Sequence, residues 1–221
     1  MNVLIIGASR GLGLEFVRQY RAAGARVTAT ARSDDGQACI AELGAKPLKL
    51  DVADAASVSG LAWLIDGGRF DVVVINAGVY GPHTQGLETP TVADFDAVMH
   101  TNVLGPMRLM PQVAEALAPD ARVAILSSQM GAISGRGSAT GWLYRASKAA
   151  VNSVMKDASL ALAGRAIVVS FHPGWVRTDM GGAGADIDAA TSIAGMRTVL
   201  ASVKPADSGG FFNYDGMRLA W

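Results

Sequence analysis

The stretch Val3-Leu4-Ile5-Ile6-Gly7-Ala8-Ser9-Arg10-Gly11-Leu12-Gly13 decides the fold. Its four leading apolar residues, three of them β-branched, read as a strand buried on both faces, and Gly7 turns the chain out of it. Residues 11–23 then carry Leu12, Phe16, Val17 and Tyr20 at three- and four-residue spacing, a single apolar stripe that a helix would lay on a sheet. Gly24 ends that helix. Strand, glycine-rich turn and helix, in that order, make the context a dinucleotide-binding turn requires. One glycine permits the tight turn, another lets backbone approach a pyrophosphate, and the third lets helix pack closely on strand. The helix N-terminus offers unpaired N–H groups and the positive end of its dipole to the phosphates.

Outward from this unit the alternation repeats. Strands are expected at 2–6, 26–30, 47–50, 71–75, 121–127, 166–171 and 210–213. Helices are expected at 11–23, 54–65, 91–117, 141–163 and 188–202, with a weaker one at 35–43. Val72-Val73-Val74-Ile75 and Val123-Ala124-Ile125-Leu126 are apolar throughout, as in strands covered by helices on both sides. The expected fold class is α/β: one Rossmann-fold domain over residues 1–221, a doubly wound parallel sheet of seven strands with helices on both faces. The glycine-rich stretch Gly181-Gly182-Ala183-Gly184 reads as a mobile loop over the site.

Composition narrows the function classes. Half of the 221 residues are hydrophobic and 17% are charged, enough for one large core. Nineteen basic and nineteen acidic side chains cancel, so no global field draws nucleic acid or an anionic membrane. Cys39 is the only cysteine, which excludes an intrachain disulfide and suits a reducing compartment. With no signal-peptide pattern and no apolar run of membrane-spanning length, the expectation is a cytoplasmic protein. His83, His100 and His172 show no metal-ligand spacing, and no metal is expected. The absence of a Gly-x-Ser-x-Gly elbow leaves a hydrolase triad without support.

The turn reads Gly-x-x-x-Gly-x-Gly, a departure from the common Gly-x-Gly-x-x-Gly. That spacing resembles the short-chain dehydrogenase/reductase family, and the resemblance runs to the C-terminus. It takes in Asp51 after the third strand, Asn76-Ala77-Gly78 after the fourth, Asn102, Ser127-Ser128, Tyr144-x-x-x-Lys148 and Pro173-Gly174. Within the family, Tyr144-Arg145-Ala146-Ser147-Lys148 and the stretch from His172 to Met180 are most similar to sniffer-type carbonyl reductases and C-factor-like proteins. The resemblance implies a nicotinamide dinucleotide held by Gly7, Ser9, Arg10, Gly11, Leu12 and Gly13. It places Asp51 at the adenine edge with Val52 beside the ring, and Asn76, Ala77 and Gly78 near the nicotinamide ribose. Pro173, Gly174 and the backbone of Val176 would reach the carboxamide, with Thr178 on a phosphate or the amide. Asp51 has a second reading, as a cap for the helix starting near Asp54. Charge favours NADP(H) over NAD(H): the end of the second strand reads Ala31-Arg32, with no acid to accept from a ribose 2′-OH. Arg32 and Arg10 offer charge-assisted contacts to a 2′-phosphate, although either alone also reads as a solvated surface arginine.

Tyr144 and Lys148, four apart in a helical segment, emerge on one face. An ammonium beside a tyrosine favours the phenolate, so Tyr144 is the candidate general acid/base, tuned by Lys148, which would also hold a ribose hydroxyl. Ser128, just past an apolar strand, would orient the substrate oxygen; Ser127 competes for the role and the family pattern favours Ser128. Asn102 would complete the set by binding water or backbone in a proton relay to Lys148, or would be a satisfied core amide. The implied activity is hydride transfer between nicotinamide and a carbonyl/alcohol pair. Its alternative is a dinucleotide-binding signalling or regulatory protein of the C-factor type with little turnover. The substrate pocket is expected from about 79–86, 129–142 and 179–192, with Val79, Met130, Trp142, Trp175 and Met180, which suits a hydrophobic carbonyl or alcohol compound. A homodimer or homotetramer through the long helices is implied by the resemblance. Replacing Arg32 with Asp is expected to shift preference from NADPH toward NADH. The ratio of kcat/KM for the two cofactors measures this, and an unchanged ratio contradicts the assignment of Arg32 to the 2′-phosphate.

Overall fold

The protein is described by a computed structural model covering residues 1–221. Seven strands pair in parallel: β1 (Asn2–Ile6), β2 (Arg26–Ala31), β3 (Lys46–Lys49), β4 (Phe70–Ile75), β5 (Leu117–Leu126), β6 (Ala166–His172) and β7 (Phe211–Asn213). Their order across the sheet is β3-β2-β1-β4-β5-β6-β7. The chain winds outward from β1 to β3, returns past β1 to β4, and winds outward again to β7. Between β1 and β4 the direction of winding reverses, which opens a crevice at the carboxyl ends of the strands.

Helices α1 (Gly11–Ala22), α2 (Asp34–Glu42), α3 (Ala55–Ser59), α4 (Leu61–Leu64), α5 (Val92–Met99), α6 (Gly105–Ala114), α7 (Trp142–Ala161) and α8 (Ala189–Ser202) cover the sheet. The strand period of two divides β1 between two cores. Val3 and Ile5 pack with Phe16 and Val17 of α1 and Ile193 and Met196 of α8, while Leu4 and Ile6 pack with Leu109 and Val113 of α6 and Val151 and Met155 of α7. No helix is long and apolar enough to cross a membrane.

The expected elements are present, with three differences that have local causes. The helix expected at 54–65 is two short helices joined at Gly60. The helix expected at 91–117 is α5 and α6 joined by a π-helical turn at His100–Leu104, and it stops at Ala114. Pro106 has no N–H to return to the Asn102 carbonyl, so the regular ladder breaks there, and the Gly105 N–H reaches back to the His100 carbonyl instead. The third is β5, expected at 121–127, which already begins at Leu117 opposite Phe70. A register shift follows, with Asp120 in the left-handed region at φ +56°, and regular pairing resumes at Arg122.

The entry to α1 is the tightest point of the fold. A Cβ on Gly13 would lie 2.1 Å from the Gly7 carbonyl oxygen and 2.7 Å from Asn76 Nδ2. Gly7 itself has φ +86° and abuts Ala77. Alanine normally improves a helix interior, yet Gly13→Ala is expected to destabilise the protein by about 1–3 kcal/mol through overpacking. Urea unfolding checks this as a lower midpoint at unchanged slope.

Candidate active site

The carboxyl ends of β1, β4, β5 and β6 bring the sequence motifs to one edge. Ile6 O accepts from both Asn76 N and Ala77 N at 3.0 Å, and Asn76 Nδ2 donates to Gly7 O at 2.6 Å. This fixes the end of β4 against the glycine turn. At the start of α1, Arg10 makes no side-chain cap, the first turn holds no acid, and the first intrahelical donor is Leu14 N. The N–H groups of Gly11, Leu12 and Gly13 are thus left for an anion, and the missing Cβ at Gly13 keeps the turn flat against the strands, so the turn fits a pyrophosphate. Ser9 packs against Gly36 at the head of α2.

Arg32 follows the end of β2, is exposed and joins no ion pair. Arg10 points the other way, pairing across the crevice with Asp179 at 3.3 Å, both side chains about three-quarters exposed. Asp51 is not the helix cap. Asp54 takes that role by accepting from Ala56 N, while Asp51 Oδ1 accepts from Ala53 N in a tight local turn. Val52 is buried under Gly105.

The π-helical turn aims Asn102 inward, where it is 1% exposed. Its amide accepts from Val79 N and donates to Val79 O, each at 2.8 Å, and donates to Ser147 Oγ at 2.9 Å. Ser147 in turn donates to Tyr144 O. Asn102 therefore joins the segment after β4 to α7 directly, as a satisfied amide. Gly78 lies between them: a Cβ there would be 3.3 Å from Asn102 Oδ1 and 3.4 Å from Lys148 Nζ.

Both serines line the cleft, and their hydrogen bonds differ. Ser127 Oγ bonds to Lys148 O on α7 at 3.3 Å. Ser128 faces the cleft beside Tyr144, with its Oγ accepting from Met130 N at 3.1 Å. Burial pushes the Tyr144 phenol up to about 12, with the Ser128 hydroxyl working against the rise and the Tyr80 hydroxyl adding to it. This is opposite to the lowering expected from Lys148. The Nζ sits 5.6 Å from the ring centroid and donates to Leu126 O at 2.8 Å, so it does not stand against the phenol oxygen. Burial brings Lys148 down to about 8.

After β6, Pro173 O accepts from Ser192 Oγ, and Gly174 at φ +83° turns the chain. Val176 forms a parallel bridge with Ile187 in which Trp175 O and Arg177 N make the bonds, so its own N–H points away from Ile187. Thr178 Oγ1 donates to Val176 O and accepts from Gly181 N. Trp175 Nε1 donates to Gly181 O, and Gly182 N to Thr178 O, so the glycine stretch expected to be loose is tied back at its start.

A cleft of about 890 Å³ joins these parts, lined by Ser128, Tyr144, Met130, Trp175 and Met180 as expected. Val79 and Trp142 are not among its walls. Tyr80 is, stacked on Tyr144 at 4.6 Å and on His83 at 4.7 Å. Leu219 and Ala220 also line it, and nothing in their sequence announces this. They arrive because the tail folds back: Leu219 N donates to Phe211 O, and Ser134 bonds Trp221 O through both its N–H and its hydroxyl.

The sequence pattern of the short chain dehydrogenases matches residues 1–186. The chain belongs to the short-chain dehydrogenase/reductase family. It is 38% identical to C-signal of Myxococcus xanthus over 157 residues, 70% of this chain and 94% of that protein. Its fold is similar to a short-chain dehydrogenase/reductase from Burkholderia multivorans with bound NADP, at TM-score 0.90 and 32% identity over 99% of this chain and 98% of that one. The carbonyl reductase Sniffer of D. melanogaster is similar at TM-score 0.88 and 28% identity over 100% and 99% of the two chains.

Lys148 carries a stability cost that can be measured. Its folded value lies below the usual 10.5, so the folded chain binds fewer protons than the unfolded chain between about pH 8 and 10.5. Stability from this group rises with pH across that window, and the penalty is full below it. Lys148→Met lacks this titration, so its stability relative to the wild type is expected to fall by about 2 kcal/mol between pH 7 and pH 9.5. Urea unfolding of both proteins at the two pH values checks it.

Proposed function

We propose that this protein is an NADPH-dependent carbonyl reductase in which Tyr144 exchanges the proton and Ser128 holds the substrate oxygen. The observation that carries this reading is the Ser128 hydroxyl and the Tyr144 phenol together on the wall of a cleft that continues past Leu12 and Thr178, with the buried Lys148 ammonium 5.6 Å from the Tyr144 ring. The NADP bound by the similar Burkholderia protein and the carbonyl reductase activity in Sniffer's name support it. So does Arg32, a cation with no acid partner at the end of β2.

When bound, NADPH supplies the hydride that the carbonyl carbon accepts. The Gly11, Leu12 and Gly13 N–H groups would hold its pyrophosphate, Arg32 its 2′-phosphate, and the Val176 N–H its carboxamide. Small residues at Ala77 and Gly78 leave room for the ribose beside Lys148. Arg10 would first have to leave Asp179 to share the 2′-phosphate, so Arg32 carries the larger part.

At the reacting oxygen, Ser128 donates a hydrogen bond and Tyr144 gives up its proton as the carbon–oxygen bond becomes single. A phenol held near 12 stays protonated at neutral pH, which makes it a ready donor for reduction and a poor base for oxidation. Alkoxides are stronger bases than phenolates, so the proton still moves downhill. Lys148, charged below about pH 8, would have to swing its ammonium from Leu126 O toward the phenol oxygen to stabilise the phenolate that remains. Asn102 and Ser147 hold the backbone that presents both side chains; with its amide bonds already made, Asn102 acts as a positioning residue.

The likeness to C-signal favours a second reading, a dinucleotide-binding signalling protein with little turnover. NADPH oxidation with a panel of ketones, aldehydes and quinones separates the two. Turnover supports the reductase, and NADPH binding without turnover of any compound supports the signalling protein. Tyr144→Phe is expected to lower kcat by about 10²–10⁴-fold, the usual range for losing a general acid, while leaving NADPH binding unchanged within error. Retained turnover would remove Tyr144 from the role.

A further inference from the structure

The walls of the cleft carry an imbalance of charge that the proposed chemistry does not use. Twenty-five residues line it, among them Arg136 and Arg145, and none is Asp or Glu. The chain's ion pairs within 4.0 Å involve Arg10, Arg18, Lys49, Arg165, Arg177 and Arg218; Arg136 and Arg145 are in none. Arg145 directly follows Tyr144 and lines the cleft, and its Nε donates to Thr140 O at 2.8 Å, which leaves its outer nitrogens free. Arg136 stands on the same loop between Gly135 and Gly137. His172 also faces the cleft, but burial brings it down to about 4, so it is neutral at pH 7 and adds no charge.

Position in the sheet separates these arginines from the cofactor. The glycine turn and Arg32 follow β1 and β2, on one side of the switch point, whereas the loop carrying Arg136 and the head of α7 follow β5, on the other. The walls that carry Tyr144 and the two arginines also include the apolar side chains of Met130, Ala132 and Leu219. A guanidinium binds a carboxylate or phosphate through paired N–H groups and gains most where no protein acid competes.

We propose that the substrate of this cleft is an apolar carbonyl compound bearing an oxyanion, and that Arg145 and Arg136 bind the oxyanion while the carbonyl lies at Tyr144. The proposal rests on the carbonyl reductase reading, so its test has a binding arm that needs no turnover.

The probes are 4-acetylbenzoate, its methyl ester and 4-acetylphenyl phosphate, matched in their ketone and different in charge. Binding is read by quenching of tryptophan fluorescence, since Trp175 lines the cleft, and reduction by NADPH oxidation. The acid is expected to bind at least about tenfold more tightly than the ester, the size of one charge-assisted hydrogen bond at a half-open site. That ratio is expected to fall toward one in Arg136→Gln/Arg145→Gln and to recover in part in Arg145→Lys, which keeps the charge without the fork. Added salt should weaken the acid's binding and leave the ester's unchanged. Tighter binding of the phosphate than of the carboxylate supports the same site and identifies the oxyanion it takes. Equal binding of acid and ester overturns the proposal whatever the turnover. So does a double variant that keeps the acid-to-ester ratio, or one whose main loss is in NADPH affinity. Preferential binding of the acid with no reduction of any probe upholds the oxyanion site and counts against the reductase reading instead.

Discussion

The contact among Asn76, Gly7 and Gly13 governs the geometry of everything at the carboxyl edge of the sheet. The Asn76 amide closes on the Gly7 carbonyl at 2.6 Å, and Gly13 has no Cβ to hold α1 away from either. This happens where the winding reverses, so one short bond ties the first strand's turn to the end of β4. The segment after β4 then runs through Gly78 and Val79 to the Asn102 amide, and from Asn102 through Ser147 to the backbone of Tyr144. Hydrogen bonds and the short segment from Asn76 to Val79 thus connect the glycine turn with the helix that carries the candidate acid.

The site built on this frame is costly. Tyr144 and Lys148 are both buried, and burial displaces each from its ordinary protonation range in the direction that disfavours charge. A site tuned only for stability would hold apolar residues there. The stacking of Tyr80 on Tyr144, with His83 beyond, covers the phenol with a ring and restricts it to one face of the cleft. Ser128 and the NADPH proposed to bind would meet it on the open side.

Much of this is legible in the residues alone. The β1 turn, the apolar strands and the helical stripe of α1 follow from short-range periods, and the order of elements with short connections leaves few topologies for a parallel sheet. The places of Ser128, just past a strand end, and of Tyr144 and Lys148, on one helix face, were readable from their spacing. What was not legible depends on tertiary contacts. The π-helical turn and its consequence, an Asn102 amide bonded to Val79 and Ser147, depend on Pro106 and on where β4 ends. The direction of the Tyr144 shift depends on where the Lys148 ammonium points, and Leu126 O claims it. The tail at Leu219 reaches the cleft only because it pairs back onto β7 and is held by Ser134.

The central claim is that this edge transfers a hydride to a carbonyl carbon and a separate, solvent-exchangeable proton to its oxygen. Reduction of a ketone with NADPH deuterated at both C4 positions, in ordinary water, tests it most directly. The expected product is an alcohol with one deuterium on the carbinol carbon and ordinary hydrogen on its oxygen, and it is lost in Tyr144→Phe. Alcohol formed without deuterium on the carbon, or formed at the wild-type rate by Tyr144→Phe, would contradict it.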